Sequence, residues 1–216
     1  MSIRGAAALS PQPIVRLPPF RPGMRIGLFG GSFDPAHEGH RRVSLEALNV
    51  LRLDQVWWLV SPQNPLKRNA PSDDLTRRIA AAKAIAHHPR IRVTGVEAEL
   101  GTTYSAETLA RLLPRLPGVA AVWMIGADNL AGFHLWRDWQ RIAASLPIAV
   151  FNRPGQSLPA LASPAARTLS RFRRDPADAA GLATTPPTAW IFLPSPHIDI
   201  SSTALRNRRA GPILAS

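Results

Sequence analysis

The sequence predicts an α/β fold, a doubly wound parallel sheet with helices on both faces, built as a single domain. Three observations carry this. Apolar runs at residues 26–29, 56–60, 120–125, 148–151 and 190–193 have the length and β-branched or aromatic content of buried strands, and 91–94 is a shorter candidate. Helical periods lie between them: Val43, Ala47, Val50 and Leu51 share one face, and Leu75, Ile79, Ala82 and Ala86 share another. The chain has 216 residues, 45% of them apolar, enough for one real core. Alternating strands and helices imply crossover connections, and in such sheets ligands bind outside the C-terminal ends of the strands.

Taken in order, residues 1–23 carry Arg4, Arg16 and Arg21 with no acid, and prolines at 11, 13, 18, 19 and 22 interrupt any helix. They are expected to form a disordered Pro/Arg-rich extension, leaving 24–216 as the domain. The helix with Leu75 has start signals, Ser72 as N-cap with Asp73 and Asp74 in its first turn. Residues 155–187, rich in Pro, Ala and Arg without a long period, are expected as a mobile insertion. No apolar run approaches the roughly 18 residues of a membrane span. The absence of cysteine removes disulfides, thiolate nucleophiles and cysteine-based zinc sites, and makes a cytoplasmic location the default.

The formal charge of +12 would suit a nucleic-acid binder. Much of the excess, however, sits in the N-terminal tail and at 171–174 and 206–209, and no zinc-finger, RNP or basic-zipper pattern appears. A cleft for a small anionic substrate explains the charge equally well.

The most informative stretch follows the first strand: Gly30-Gly31-Ser32-Phe33-Asp34-Pro35-Ala36-His37-Glu38-Gly39-His40. Glycines allow close backbone approach, and a helix N-terminus offers unpaired N–H groups to phosphate. The loop is neither a Walker A sequence nor the dinucleotide fingerprint. With a helix starting at Glu38 or Gly39, His37 and His40 can both face the space above the strand end, kept open by Gly39. As isolated histidines they could be phosphate donors, zinc ligands or packing and capping groups; the surrounding glycines and the strand-loop-helix position favour phosphate.

Gly-Ser-Phe-Asp-Pro-x-His-x-Gly-His resembles the signature of the nucleotidyltransferases with a His-x-Gly-His motif, a superfamily of Rossmann-like domains. Its companion near the C-terminus, Ile-Ser-Ser-Thr-x-x-Arg, is matched by Ile200-Ser201-Ser202-Thr203-Ala204-Leu205-Arg206. Ser202 and Thr203 can cap a helix facing phosphate, and Arg206, about one turn later, can reach the same anion.

Within that superfamily the chain is most similar to bacterial nicotinate-nucleotide adenylyltransferases. Ser61-Pro62-Gln63-Asn64-Pro65-Leu66-Lys67 resembles the family's loop after the second strand, which implies phosphate binding by Lys67 and substrate contact by Asn64. Thr103-Tyr104-Ser105 resembles the helix start that borders the pyridine site. Ile125-Gly126-Ala127-Asp128 resembles the segment where Gly126 admits the adenosine and Asp128 accepts its hydrogen bonds. Phe133-His134-Leu135-Trp136-Arg137 resembles the segment whose aromatic ring covers the nicotinate, with simple helix packing as the alternative for Trp136, and Arg153-Pro154-Gly155 matches the motif after the fifth strand.

The resemblance implies transfer of AMP from ATP to nicotinate mononucleotide, with Mg²⁺ entering on ATP and no covalent enzyme intermediate. It also implies that Gly30, Gly31, Ser32 and Phe33 cradle phosphates through the backbone, while His37, His40, Lys67 and Arg206 neutralise charge. Asp34 can orient the loop or meet a metal-bound water. Rival substrates are nicotinamide mononucleotide and phosphopantetheine, and the rival class is a basic nucleic-acid-binding protein.

Overall fold

The computed structural model describes residues 15–62, 74–152 and 157–194. Its strands are β1 (Arg25–Gly31), β2 (Gln55–Val60), β3 (Ile91–Thr94), β4 (Ala120–Gly126), β5 (Ile148–Phe151), β6 (Arg173–Arg174) and β7 (Trp190–Leu193). They form one 7-stranded sheet in the order β3-β2-β1-β4-β5-β7-β6. Every neighbouring pair is parallel. The order reverses between β1 and β4, the position at which such sheets open a crevice for ligands.

Each apolar run read from the sequence is a strand, because the central strands of a parallel sheet are covered on both faces and read as near-continuous apolar runs. In β2 all six residues are buried. Alternate residues feed two cores: Ile26, Leu28, Trp57, Leu59 and Trp123 on one face, Phe29, Trp58, Val60, Val122 and Met124 on the other. Helices α1 (Glu38–Val50) and α2 (Leu75–Ala86) cover the second face through Val43, Ala47, Ala82 and Ala86. After the short α3 (Val96–Glu99) come α4 (Ser105–Leu112), α5 (Ala127–Ala131) and α6 (Trp139–Ser145). Leu109, Leu112 and Ile142 carry α4 and α6 onto the first face.

Three expectations need correction. The N-terminal segment is not loose over its described part, since Val15, Leu17 and Phe20 pack on the first core. The Phe20 ring meets Trp57 edge-on at 6.2 Å, Gln55 Nε2 donates to the Pro19 carbonyl at 3.1 Å, and the Gly23 N–H donates to Gly118 O at 2.7 Å. Prolines prevent a helix there, yet an extended strap needs none to bury single side chains. Residues 1–14 lie outside the described residues.

Residues 155–187, expected as a mobile insertion, carry packed structure wherever they are described. Helices α7 (Ser157–Leu161) and α8 (Pro164–Thr168) bury Ala160, Ala165 and Ala166, and a 3-10 segment at Pro176–Thr184 buries Ala179, Leu182 and Ala183. The Trp190 indole of β7 donates to Leu169 O at 2.8 Å, tying the segment to the sheet. Finally, α2 begins one residue after Asp74, which holds the N-cap position that was expected at Ser72. Ser72 itself lies outside the described residues.

Candidate active site

β1 runs out at Gly30 and Gly31, and α1 starts at Glu38 with His37 as its N-cap. The two histidines are locked to each other by the turn between them. His37 O accepts the His40 N–H at 2.9 Å, and the His37 N–H donates to His40 Nδ1 at 3.2 Å. Because Nδ1 accepts, the ring proton of His40 resides on Nε2. The two rings lie 3.8 Å apart between centroids. Gly39 is buried between them at the second helical position.

An aromatic bed fixes this pair from below. Phe33 is buried at φ +47°, a left-handed conformation that turns its ring inward, where it stacks on Trp58 at 4.9 Å and 12°. His40 sits 4.9 Å from Phe33 and 6.0 Å from Phe29. The Trp58 indole donates to Ser44 Oγ at 2.7 Å, and Ser44 Oγ donates to His40 O at 2.8 Å. The backbone that presents both imidazoles therefore hangs on buried groups of β2 and α1. Phe33 enters the loop through its ring as well as its backbone.

Gly30 has a use the sequence did not show. A Cβ there would come 2.7 Å from Trp123 Cη2, and the Trp123 side chain is fully buried. Its glycine is demanded by core packing beneath the loop, whatever approaches from above.

The second cluster forms where β4 ends. The β1–β4 register pairs Phe29 with Met124, and continuing it sets Gly31 level with Gly126. Gly126 is the N-cap of α5 and Asp128 lies exposed in its first turn. Tyr104 is the N-cap of α4, so Ser105 opens the helix as expected, with Thr103 exposed beside it. The Arg137 guanidinium lies over the Tyr104 ring at 4.7 Å and reaches Glu107 Oε1 at 3.4 Å. Trp136 packs edge-on against Phe133 at 5.4 Å and stays half-buried. Asn64, Lys67, Arg153, Pro154, Gly155, Ser202, Thr203 and Arg206 lie outside the described residues. Among the described residues, no group of three or more His, Cys, Asp or Glu side chains is placed to hold a metal ion, and no helix is long and apolar enough to cross a membrane.

Two buried ionisable residues at the strand ends escaped the sequence reading. Arg78 on α2 is 3% exposed and donates to the carbonyls of Ser32, Ser61 and Pro62 at 2.6, 2.8 and 2.8 Å. Glu97 on α3 is also 3% exposed; burial pushes its carboxyl up to about 7, opposed by a hydrogen bond with the Ser61 side chain. The available signal was position: Arg78 is three residues after Leu75 and four before Ala82, on the helix's apolar face.

The cytidylyltransferase-like family matches residues 28–208. A protein of Cereibacter sphaeroides named probable nicotinate-nucleotide adenylyltransferase is 54% identical over 183 residues, 85% of this chain and 97% of that relative. One of the same name from Methylorubrum extorquens is 51% identical over 185 residues, 86% of this chain and 100% of its own length. Among solved structures, the Plasmodium falciparum nicotinic acid mononucleotide adenylyltransferase complexed with NaAD gives a TM-score of 0.63 at 14% identity, covering 85% of this chain and 83% of that one. At that identity the likeness speaks for the fold. With about half of all positions shared over almost the whole length of its relatives, this chain belongs to the nicotinate-nucleotide adenylyltransferase family of the cytidylyltransferase-like nucleotidyltransferases.

Proposed function

We propose that the protein transfers AMP from MgATP to nicotinate mononucleotide, giving nicotinate adenine dinucleotide and pyrophosphate in NAD biosynthesis. The carrying observation is the locked His37–His40 pair at the N-terminus of α1, directly after β1 and beside the point where strand order reverses. The names of the half-identical relatives supply the substrate pair.

A phosphate oxygen of nicotinate mononucleotide attacks the α-phosphorus of ATP; the bond to the bridging oxygen breaks and pyrophosphate leaves. The nucleophile is already anionic near neutral pH, so no strong general base is required. Catalysis reduces to alignment and charge neutralisation. In this reading His37, His40, Lys67 and Arg206 donate to the phosphates, with His40 using Nε2–H. The backbone of Gly30, Gly31, Ser32 and Phe33, the opening of Gly39, and the Ser202–Thr203 cap complete the phosphate cradle. Gly126 and Asp128 meet the adenosine. Asn64, Thr103, Tyr104, Ser105, Trp136 and Arg137 receive the nicotinate nucleotide, and Mg²⁺ arrives with ATP as part of the substrate.

The test is pyrophosphate release by the purified protein with MgATP and each of three acceptors. Nicotinate mononucleotide should react fastest, nicotinamide mononucleotide roughly ten- to hundredfold less efficiently, and phosphopantetheine not detectably, because donors around Tyr104 and Arg137 favour a carboxylate. Both mononucleotides present the same ribose phosphate, so their comparison isolates the pyridine pocket. Preference for phosphopantetheine, or silence with all three, overturns the proposal.

A further inference from the structure

Pairing between β1 and β2 ends with the Ser61 N–H donating to Gly31 O at 2.9 Å. Beyond that bond the chain after β1 turns towards His37 and the chain after β2 leaves through Pro62. Arg78 spans the gap. Its Nη1 donates to Ser32 O in one loop and to Ser61 O in the other, and its Nη2 donates to Pro62 O. Ser61 is held at a further point by its hydrogen bond with Glu97.

We propose that Arg78 is a positioning residue whose buried guanidinium sets the spacing between the histidine loop after β1 and the loop after β2, so that groups from both act on one substrate. This rests on the adenylyl-transfer reading above. A planar guanidinium holds the three carbonyls at fixed separations through donors on two nitrogens, whereas the three donors of a lysine ammonium radiate from one nitrogen on a flexible stem and set no such spacing. A charge taken into the interior loses its hydration and needs hydrogen bonds to offset that loss, which makes it a poor choice for a strut that merely fills space. Ser32 directly precedes Phe33, whose ring is stacked on Trp58, so the Arg78 bond and the ring stack together fix two adjacent residues at the start of the segment that carries His37 and His40. The same guanidinium brings a positive charge to within hydrogen-bond distance of the loop proposed to cradle phosphates.

Arg78→Met and Arg78→Lys in the full chain separate the fork from the charge. Amide hydrogen exchange is followed in peptides spanning 30–40 and 55–62, and steady-state kinetics are measured well below each variant's own Tm. Arg78→Met should exchange faster in both peptides and lose roughly tenfold or more in kcat, with a smaller change in the KM for ATP, because misaligned groups still bind the ground state. Arg78→Lys should keep part of the stability and recover less than half of the kcat. Unchanged exchange in either loop, or wild-type kcat in a folded Arg78→Met or in Arg78→Lys, overturns the proposal. Should Arg78→Met fail to fold, the lysine variant decides by the same two measurements. If the wild-type protein releases no pyrophosphate with these substrates, the functional reading fails, while the exchange comparison still decides whether Arg78 clamps the loops.

Discussion

His40 is seated as a core residue and aimed as a functional one. It is 9% exposed, accepts from the His37 N–H and touches Phe33, so truncation removes a cap as well as a donor. His40→Ala should therefore cost about 1–2 kcal/mol of stability, and separately lower kcat by at least about tenfold. Assays below the variant's Tm distinguish the two, and full turnover there would remove His40 from the chemistry. Glu97 carries the opposite kind of burden. Burial raises its carboxyl from 4.5 to about 7, so the folded chain binds a proton that the unfolded chain releases over that range. Its contribution to stability is complete below the unfolded value and is lost as pH rises through about 7. The effect is bounded at about 3 kcal/mol. Glu97→Gln should flatten this part of the curve and raise the Tm most above neutral pH; identical Tm profiles for the two proteins would contradict it.

Among the elements, the N-terminal strap shows what a periodicity argument misses. Its described part buries Val15, Leu17 and Phe20 in part, with Arg16 between the first two and Pro18 and Pro19 before the third, so no 3.6 or 2.0 period is sustained. Removing residues 1–22 should lower stability by roughly 2–4 kcal/mol, from the apolar area that returns to water. Phe20→Ala alone should cost about 1–3 kcal/mol. Urea midpoints measure both, and midpoints equal to wild type would show that the strap contributes nothing. The 157–187 segment hid for a related reason: its contacts are made mostly by alanines, with Leu169 and Leu182, on two five-residue helices and a nine-residue 3-10 segment, too short to repeat a helical pattern. By contrast β2 and β4 could be read directly, since a strand covered on both faces is apolar along most of its length, and the buried Gln55 at the start of β2 is satisfied by Pro19 O and the Trp57 indole. The histidine loop was equally readable, because glycines and helix-start residues are local requirements. Arg78 and Glu97 were not, because a charged side chain is ordinarily solvent-facing and their burial depends on carbonyl and hydroxyl partners far away in sequence.

At the scale of the molecule, alternation of strands and helices sufficed for the parallel sheet; the parallel pairing of β1 with β4 puts the histidine loop and the Gly126 segment at one edge, and the reversal of strand order there opens the crevice between them. The net charge of +12 is a property of the whole chain, with no bearing on that topology. It bears instead on encounter: ATP and nicotinate mononucleotide are both anions, and a chain of strongly positive net charge attracts them. Salt screens that attraction over about 8 Å at physiological ionic strength. It weakens much less the hydrogen bonds inside a closed site. Raising KCl should therefore lower kcat/KM for both substrates several-fold through KM, with kcat nearly constant. The inhibition constant of uncharged adenosine serves as the control and should stay unchanged over the same series. A fall in kcat at constant KM would instead mean that salt reaches the phosphate contacts themselves, and that the surplus charge has no part in capturing the substrates.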